Sequence, residues 1–327
     1  MKRITSFILL VTALYSCQDE EAEPTYEYWN QLTTHPEGWF WNPVTFSLNS
    51  KLYIGTGNNQ GHVQNTFLTY DLSSNSWEEA ERMPTGVRDK AIAFVIDDKA
   101  YVGLGSTCTN TESGTCEFLY YRDLWSFDEI NGWIQMDSIP EMIGTDLKAS
   151  FTINKSGYVI VSGERVERRN VLWEFDSERH IWIEKGIYPG NCYPNIAFSI
   201  NGKAYVGLGW GSGACNEFWE YNPLADQWEQ LANFNGKPRL ESFAISINEY
   251  GYVFGGRFHG GTIFDDDEHL FDVWRFDANS KIWMQIEEDY PGEGNLNLIG
   301  ELVDGKLIFG MGDYSDDLWE FKYNSIE

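Results

Sequence analysis

Lys99-Ala100-Tyr101-Val102-Gly103-Leu104-Gly105 and Lys203-Ala204-Tyr205-Val206-Gly207-Leu208-Gly209 are nearly one heptapeptide written twice. Each follows an apolar run and a two-residue turn: Ala91 to Ile96 with Asp97-Asp98, and Ile196 to Ile200 with Asn201-Gly202. An alternating run, a turn pair of Asp, Asn or Gly, and a second alternating run read as a β-hairpin. After a variable loop comes a third run, Leu124-Trp125-Ser126-Phe127-Asp128 in one copy and Phe218-Trp219-Glu220-Tyr221-Asn222 in the other. Five or six residues after that Asp or Asn, a Trp opens a fourth run. The period of two and the β-branched and aromatic residues exclude a helical reading.

The glycine that ends each second run counts the units: Gly57, Gly105, Gly163, Gly209, Gly256 and Gly312. Fourth-run tryptophans are Trp77, Trp133, Trp182, Trp228 and Trp283, and the sixth unit has none. The missing strand lies at the other end, where Tyr28-Trp29-Asn30-Gln31-Leu32 matches Trp228-Glu229-Gln230-Leu231. A circular array closes if that N-terminal strand completes the last unit, and closure removes sheet edges that invite aggregation.

Four short strands per unit, Gly at the end of the second, and an aromatic-Asp followed by Trp resemble the kelch family of β-propellers, over residues 28–327. The resemblance implies an all-β, six-bladed propeller with four antiparallel strands per blade, closed by Tyr28–Leu32. Family blades usually carry Gly-Gly; here only Gly255-Gly256 does, and four other units carry Gly-x-Gly. Eleven of the 14 tryptophans occupy repeat positions and are expected to pack between sheets; Trp39, Trp41 and Trp210 fall outside the pattern.

Composition narrows the function. Fifty acidic against 23 basic residues give a formal charge of −27, which repels phosphate and excludes a nucleic-acid binder. With 42% apolar residues the chain has ample core and is not disordered.

The N-terminus is an address. Lys2-Arg3 precede an apolar run from Ile4 to Leu14, too short to span a bilayer as a helix and right for a signal peptide. Leu14-Tyr15-Ser16-Cys17 resembles the bacterial lipobox. That implies cleavage after residue 16, lipid on Cys17, and a membrane partner. Gln18-Asp19-Glu20-Glu21 is similar to the surface-export signal of Bacteroidota lipoproteins. The expected organisation is a signal peptide at 1–16, an acidic tether at 17–27 and one propeller at 28–327. The expected location is the outer membrane, facing outward.

The second-to-third-strand loops vary in length, and variable loops on a rigid scaffold are where sites lie. The cysteines left in this oxidising setting fall on that face, and Cys108–Cys116 with Cys192–Cys215 is the pairing that stays within blades. Aligning the units puts Phe40, Arg88, Thr145, Cys192, Arg239 and Asn295 at one equivalent position, expected to line the axial funnel. Arg88 and Arg239, with Lys148, Arg165 and Arg257 on loops, suit a carboxylate or sulfate ligand; the alternative is pairing with acids such as Asp89 or Glu241. Glu241, His259, Trp210 and Trp41 complete the candidate ligand-binding set. The five His show no metal-ligand spacing, and Asp265-Asp266-Asp267-Glu268 lacks an EF-hand pattern, so neither metal nor cofactor is expected.

Two functions compete. The first is a non-catalytic scaffold that presents the loop face to a glycan or protein. The alternative is a sugar-acid mutarotase or epimerase, similar to the periplasmic kelch enzyme that interconverts sialic acid anomers. That chemistry asks only for an acid/base pair and a cation, a set that Arg88, Arg239 and Glu241 supply. An enzyme predicts converging charged groups in an axial pocket with a carboxyl of raised pKa. A scaffold predicts an exposed aromatic or loop-built patch.

Overall fold

Each repeat folds as one antiparallel sheet because its alternating runs bury one residue in two against the next unit. The computed structural model describes residues 26–110, 116–140, 148–162, 170–262 and 265–326. The leader, Cys17, Thr145, Gly163 and Arg165 lie outside the described residues.

Six four-stranded sheets are present among the described residues. In the second, Ile92–Ile96, Lys99–Gly103, Leu124–Asp128 and Gly132–Met136 follow one another from the inside outward. The sixth joins Ile299–Val303, Lys306–Gly310 and Asp317–Phe321 to the N-terminal Trp29–Thr34, with Trp29 opposite Phe321 and Thr34 opposite Asp317. The strand expected at Tyr28–Leu32 therefore starts one residue later and runs on to Thr34. The first strands neighbour one another in succession, and Ile299–Val303 comes back beside Val44–Leu48. The hairpin turns hold Asn49 and Ser50 at φ 49° and 64°, and Asn201 and Gly202 at 52° and 72°. Such paired left-handed residues match the twist of the strands they join.

The core lies between sheets, and its sizes alternate by position. Phe46 shares a cluster with Ala100 and Phe127 of the next sheet. Phe94 lies over Gly157, where an added Cβ would stand 2.1 Å from its ring, and Phe198 lies over Gly251 in the same way, at 2.2 Å. A Phe on one first strand thus requires a small residue on the next second strand. Where the facing residue is Leu307 or Leu52, the Phe position holds Ile245 or Glu301 instead. Each fully buried Phe contributes about 1.5–3 kcal/mol. The repeat tryptophans pack here as expected: Trp29, Trp173, Trp182, Trp283 and Trp319 are buried.

Small residues of the first strands, among them Thr45, Ser47, Ala93, Ser150, Ala197 and Ser246, line an axial channel of about 510 Å³. Glu301 also lines it. Its side chain is half-buried in the channel wall. Burial pushes its pKa up to about 8, opposed by the Thr45 hydroxyl, which donates to it at 3.4 Å.

The consequence for stability has a definite sign. Below pH 4.5 the carboxyl is protonated both folded and unfolded. Between 4.5 and 8 the unfolded chain releases the proton and the folded chain keeps it, so stability falls as pH rises and levels off above 8. After screening within the channel the loss is on the order of 2–4 kcal/mol. Urea midpoints at pH 5 and 8 should separate by correspondingly less in Glu301→Gln than in the unsubstituted protein. Equal separations in the two would refute this role for Glu301.

Candidate functional site

Second glycines of the units, where they are described, build the axial mouth. Gly105 and Gly209 have φ of +84° and +105°, and a Cβ on them would lie 2.6 Å from the Asp89 carbonyl and 2.1 Å from the Tyr193 carbonyl. Only glycine lets the second strand end against the segment that leads into its own first strand. The same glycines staple neighbouring blades: Gly57 N–H donates to the Arg88 carbonyl at 2.9 Å and Gly209 N–H to the Arg239 carbonyl at 2.8 Å.

Two residues beyond those carbonyls the chain turns left-handed. Asn42, Lys90, Glu241 and Asn297 occupy one repeat position and have φ of 49°, 52°, 58° and 53°. The fourth blade has Pro194 there, which cannot adopt positive φ. Backbone bonds link neighbours around the mouth, from Lys90 N–H to the Asn42 carbonyl at 3.3 Å and from Asn297 N–H to the Glu241 carbonyl at 3.0 Å. Each left-handed non-glycine residue costs roughly 1–2 kcal/mol, and such strain concentrates at functional sites.

These side chains converge on a cavity of about 480 Å³ at the mouth, together with Trp41, Asn195, Ser242 and Asp313. It adjoins the axial channel, since Pro43, Ala91, Leu298 and Ile299 border both. Arg257 donates from Nε and Nη2 to the two carboxylate oxygens of Glu241 at 2.6 and 2.9 Å, and from Nη1 to Asp267 at 2.6 Å. Asn297 Nδ2 donates to Asp313 Oδ1 at 3.1 Å. Burial raises the Asp313 pKa above the usual carboxylate range; the Asn297 bond opposes this and the Glu241 charge adds to it. Lys90 is the cation among the described residues lining the cavity. The mouth therefore holds a carboxyl biased toward its protonated form beside an ion-paired carboxylate, with amides and a cation around them.

Arg88 and Arg239 do not line this cavity, which corrects the expectation from the aligned repeats. Both are fully buried, at 0% exposure. Arg88 grips Asp123 through Nη1 and Nη2 at 2.7 and 2.9 Å, and Arg239 grips Asp272 at 2.7 and 2.8 Å. Burial pushes both aspartates up, but the guanidinium bonds and the indole N–H of Trp125 or Trp274 outweigh it and hold them below the usual range. Phe40, Cys192 and Asn295, expected in the funnel with them, are buried too. The left-handed residue redirects the chain, so the side chain two positions on, rather than the aligned one, faces the axis.

Glu241 and Trp41 line the cavity, and Arg257 stands behind Glu241. Trp210 and His259 lie apart from it, edge to face at 5.4 Å. The acidic loop serves its neighbours: Asp265 accepts the Thr262 N–H at 2.8 Å, Asp267 holds Arg257, and Glu268 pairs with Lys237. Both disulfides, Cys108–Cys116 and Cys192–Cys215, are present, as suits a secreted chain. The alignment of repeats missed Asp313, Asn42, Lys90, Asn195 and Asn297. Asn two residues before a strand, as at Asn42 and Asn297, was the available signal, because Asn tolerates left-handed backbone.

No family model matches the chain. The N-acetylneuraminate epimerase of Yersinia pestis (strain Pestoides F) is 27% identical over 129 residues, 39% of this chain and 32% of that protein. The N-acetylneuraminate epimerase of Pasteurella multocida (strain Pm70) is 25% identical over 130 residues, 39% of this chain and 33% of its own. The matched stretch thus spans about a third of these relatives. The solved structure of YjhT superposes with a TM-score of 0.68 at 16% identity, covering 88% of this chain and 95% of that one. The fold is that of a kelch-type β-propeller. The expectation of a non-catalytic scaffold is overturned: these relatives carry the name of an enzyme, and the mouth holds converging charged groups rather than a bare patch.

Proposed function

We propose that this kelch-type propeller is an enzyme that interconverts the anomers of a sugar acid, N-acetylneuraminate or a close chemical relative, at its axial mouth. The observation that carries the reading is the pairing of Asp313 with Glu241 in one cavity: a carboxyl of raised pKa beside an ion-paired carboxylate. Environments that set two carboxyls apart assign an acid and a base. The names of the relatives supply the substrate class.

The chemistry needs no cofactor. A cyclic hemiketal opens when a base removes the proton of the anomeric hydroxyl and an acid protonates the ring oxygen as the carbon–ring-oxygen bond breaks. The open-chain ketone turns its other face to the same hydroxyl, and the two proton transfers run in reverse. Glu241 takes the first proton and Asp313 gives the second. Lys90 attracts the substrate carboxylate, and the amides of Asn42, Asn195 and Asn297 face its hydroxyl and acylamino groups. Positioned acid/base groups of this kind contribute roughly 100- to 10,000-fold. The test starts from a freshly dissolved single anomer and follows equilibration by proton NMR. The rate should rise in proportion to added protein, and a rate equal to the buffer control sinks the reading.

We propose, too, that the enzyme is held on the outer membrane by lipid on Cys17. The basic, apolar and acidic order of residues 2 to 21 supports this. One acyl chain binds a membrane only marginally, whereas several anchor stably. Cys17→Ser should move the protein from the membrane fraction to the soluble fraction, and retention on the membrane would refute the anchor.

A further inference from the structure

Beside the cavity stands a cluster of three rings that the chemistry above leaves unused. Trp39 and Trp41 have ring centroids 5.0 Å apart, and Tyr314 lies 5.1 Å from Trp39 and 5.7 Å from Trp41. Trp41 lines the cavity, whereas Trp39 and Tyr314 lie outside its lining. Tyr314 directly follows Asp313, at the tip of a turn closed by Ser315 N–H donating to the Gly312 carbonyl at 2.8 Å.

Tyr314 is unusual in two independent ways. It is 68% exposed, so burial does not account for an aromatic residue there. Its φ is +66°, a left-handed conformation that disfavours bulky residues. Glycine or asparagine would serve the turn at lower cost. Turn geometry does not explain the ring, and although it meets Trp39 and Trp41 most of its surface stays open to solvent.

We propose that Trp39, Trp41 and Tyr314 form a second sugar subsite, and that the substrate is an oligosaccharide whose reducing-end residue is the sugar acid. The inference rests on the function proposed above and names its substrate class. The reducing end keeps the free anomeric hydroxyl that ring opening requires, and it occupies the cavity. The next pyranose extends over the rim and lays its apolar C–H face on the rings, a contact that large flat aromatic surfaces favour. A monosaccharide confined to the cavity touches Trp41 and leaves Tyr314 uncovered.

The test compares the free sugar acid with its reducing disaccharide in two readouts, anomer exchange by NMR and quenching of tryptophan fluorescence. The disaccharide should show a KM and a half-quenching concentration about tenfold below those of the monosaccharide. Tyr314→Gly keeps the turn and removes the ring, and it should erase that advantage while shifting the monosaccharide values less than twofold. Equal affinities for the two sugars in the unsubstituted protein overturn the proposal. So does a Tyr314→Gly protein that weakens both sugars alike, since the rings would then hold the sugar acid itself. Fluorescence separates the two readings: disaccharide quenching lost in Tyr314→Gly, without anomer exchange on either sugar, supports the subsite and removes the mutarotase.

Discussion

Asp313→Asn is expected to lower kcat for anomer exchange by roughly 100- to 10,000-fold while KM moves little. Asparagine keeps the size of the side chain and a partner for Asn297, so the cavity keeps its shape while the transferable proton is lost. The pH profile adds a sign. Burial raises the Asp313 pKa, and a general acid works in its protonated form, so kcat should fall as pH rises through that raised value. The substituted protein should lose that limb of the profile. Glu241→Gln should produce a comparable loss through the base, and it also removes the charge that helps to raise Asp313. Rates of kcat against pH for the three proteins check both statements. An Asp313→Asn enzyme with more than half of the original kcat would exclude Asp313 as the acid.

Arg239→Met is expected to destabilise the fold by about 3–5 kcal/mol, because it strands Asp272 in a largely buried site. The guanidinium also donates to the Gly255 carbonyl and lies 4.9 Å from the centroid of the Phe234 ring, so it joins the start of the fifth blade to that blade's second and third strands. Replacing Asp272 by Asn in the same chain should recover much of the loss, since the uncompensated charge disappears. The relevant readout is a double-mutant cycle by urea unfolding with the m-value held constant. A cost below 1 kcal/mol for Arg239→Met alone would return Arg239 to the candidate ligands. Arg88→Met should behave alike through Asp123.

The propeller was legible in the sequence because each repeat writes the same physical demand. Gly105 and Gly209 sit where a Cβ would strike the backbone, and Phe94 over Gly157 repeats as Phe198 over Gly251. Such demands recur from blade to blade and leave a period. The function was less legible because it lives where the repeat is broken: Glu241, Lys90, Asn42 and Asn297 share one position but not one residue type. Alignment alone placed the axis two residues early, at Arg88 and Arg239, since a left-handed residue leaves no mark in an alternation pattern. Yet the pairing of these arginines was written in the chain. Asp123-Leu124-Trp125 and Asp272-Val273-Trp274 occur in the two blades that carry the arginines, and each Asp also accepts its tryptophan's indole N–H. Asp317-Leu318-Trp319 repeats the motif in the sixth blade, where Ser315 and Tyr290 take the place of the guanidinium. Asp313 escaped notice because its chemistry depends on burial beside Glu241, which no local pattern records.

The most direct test of the mouth as a catalytic site is magnetisation transfer between the two anomers of N-acetylneuraminate at equilibrium. Buffer exchanges them too slowly to give a cross-peak on the seconds timescale. Catalytic protein at micromolar concentration should produce exchange cross-peaks between the anomeric forms without changing their ratio, and Asp313→Asn should abolish them. A spectrum free of exchange at sugar and protein concentrations where binding is demonstrable would contradict the account.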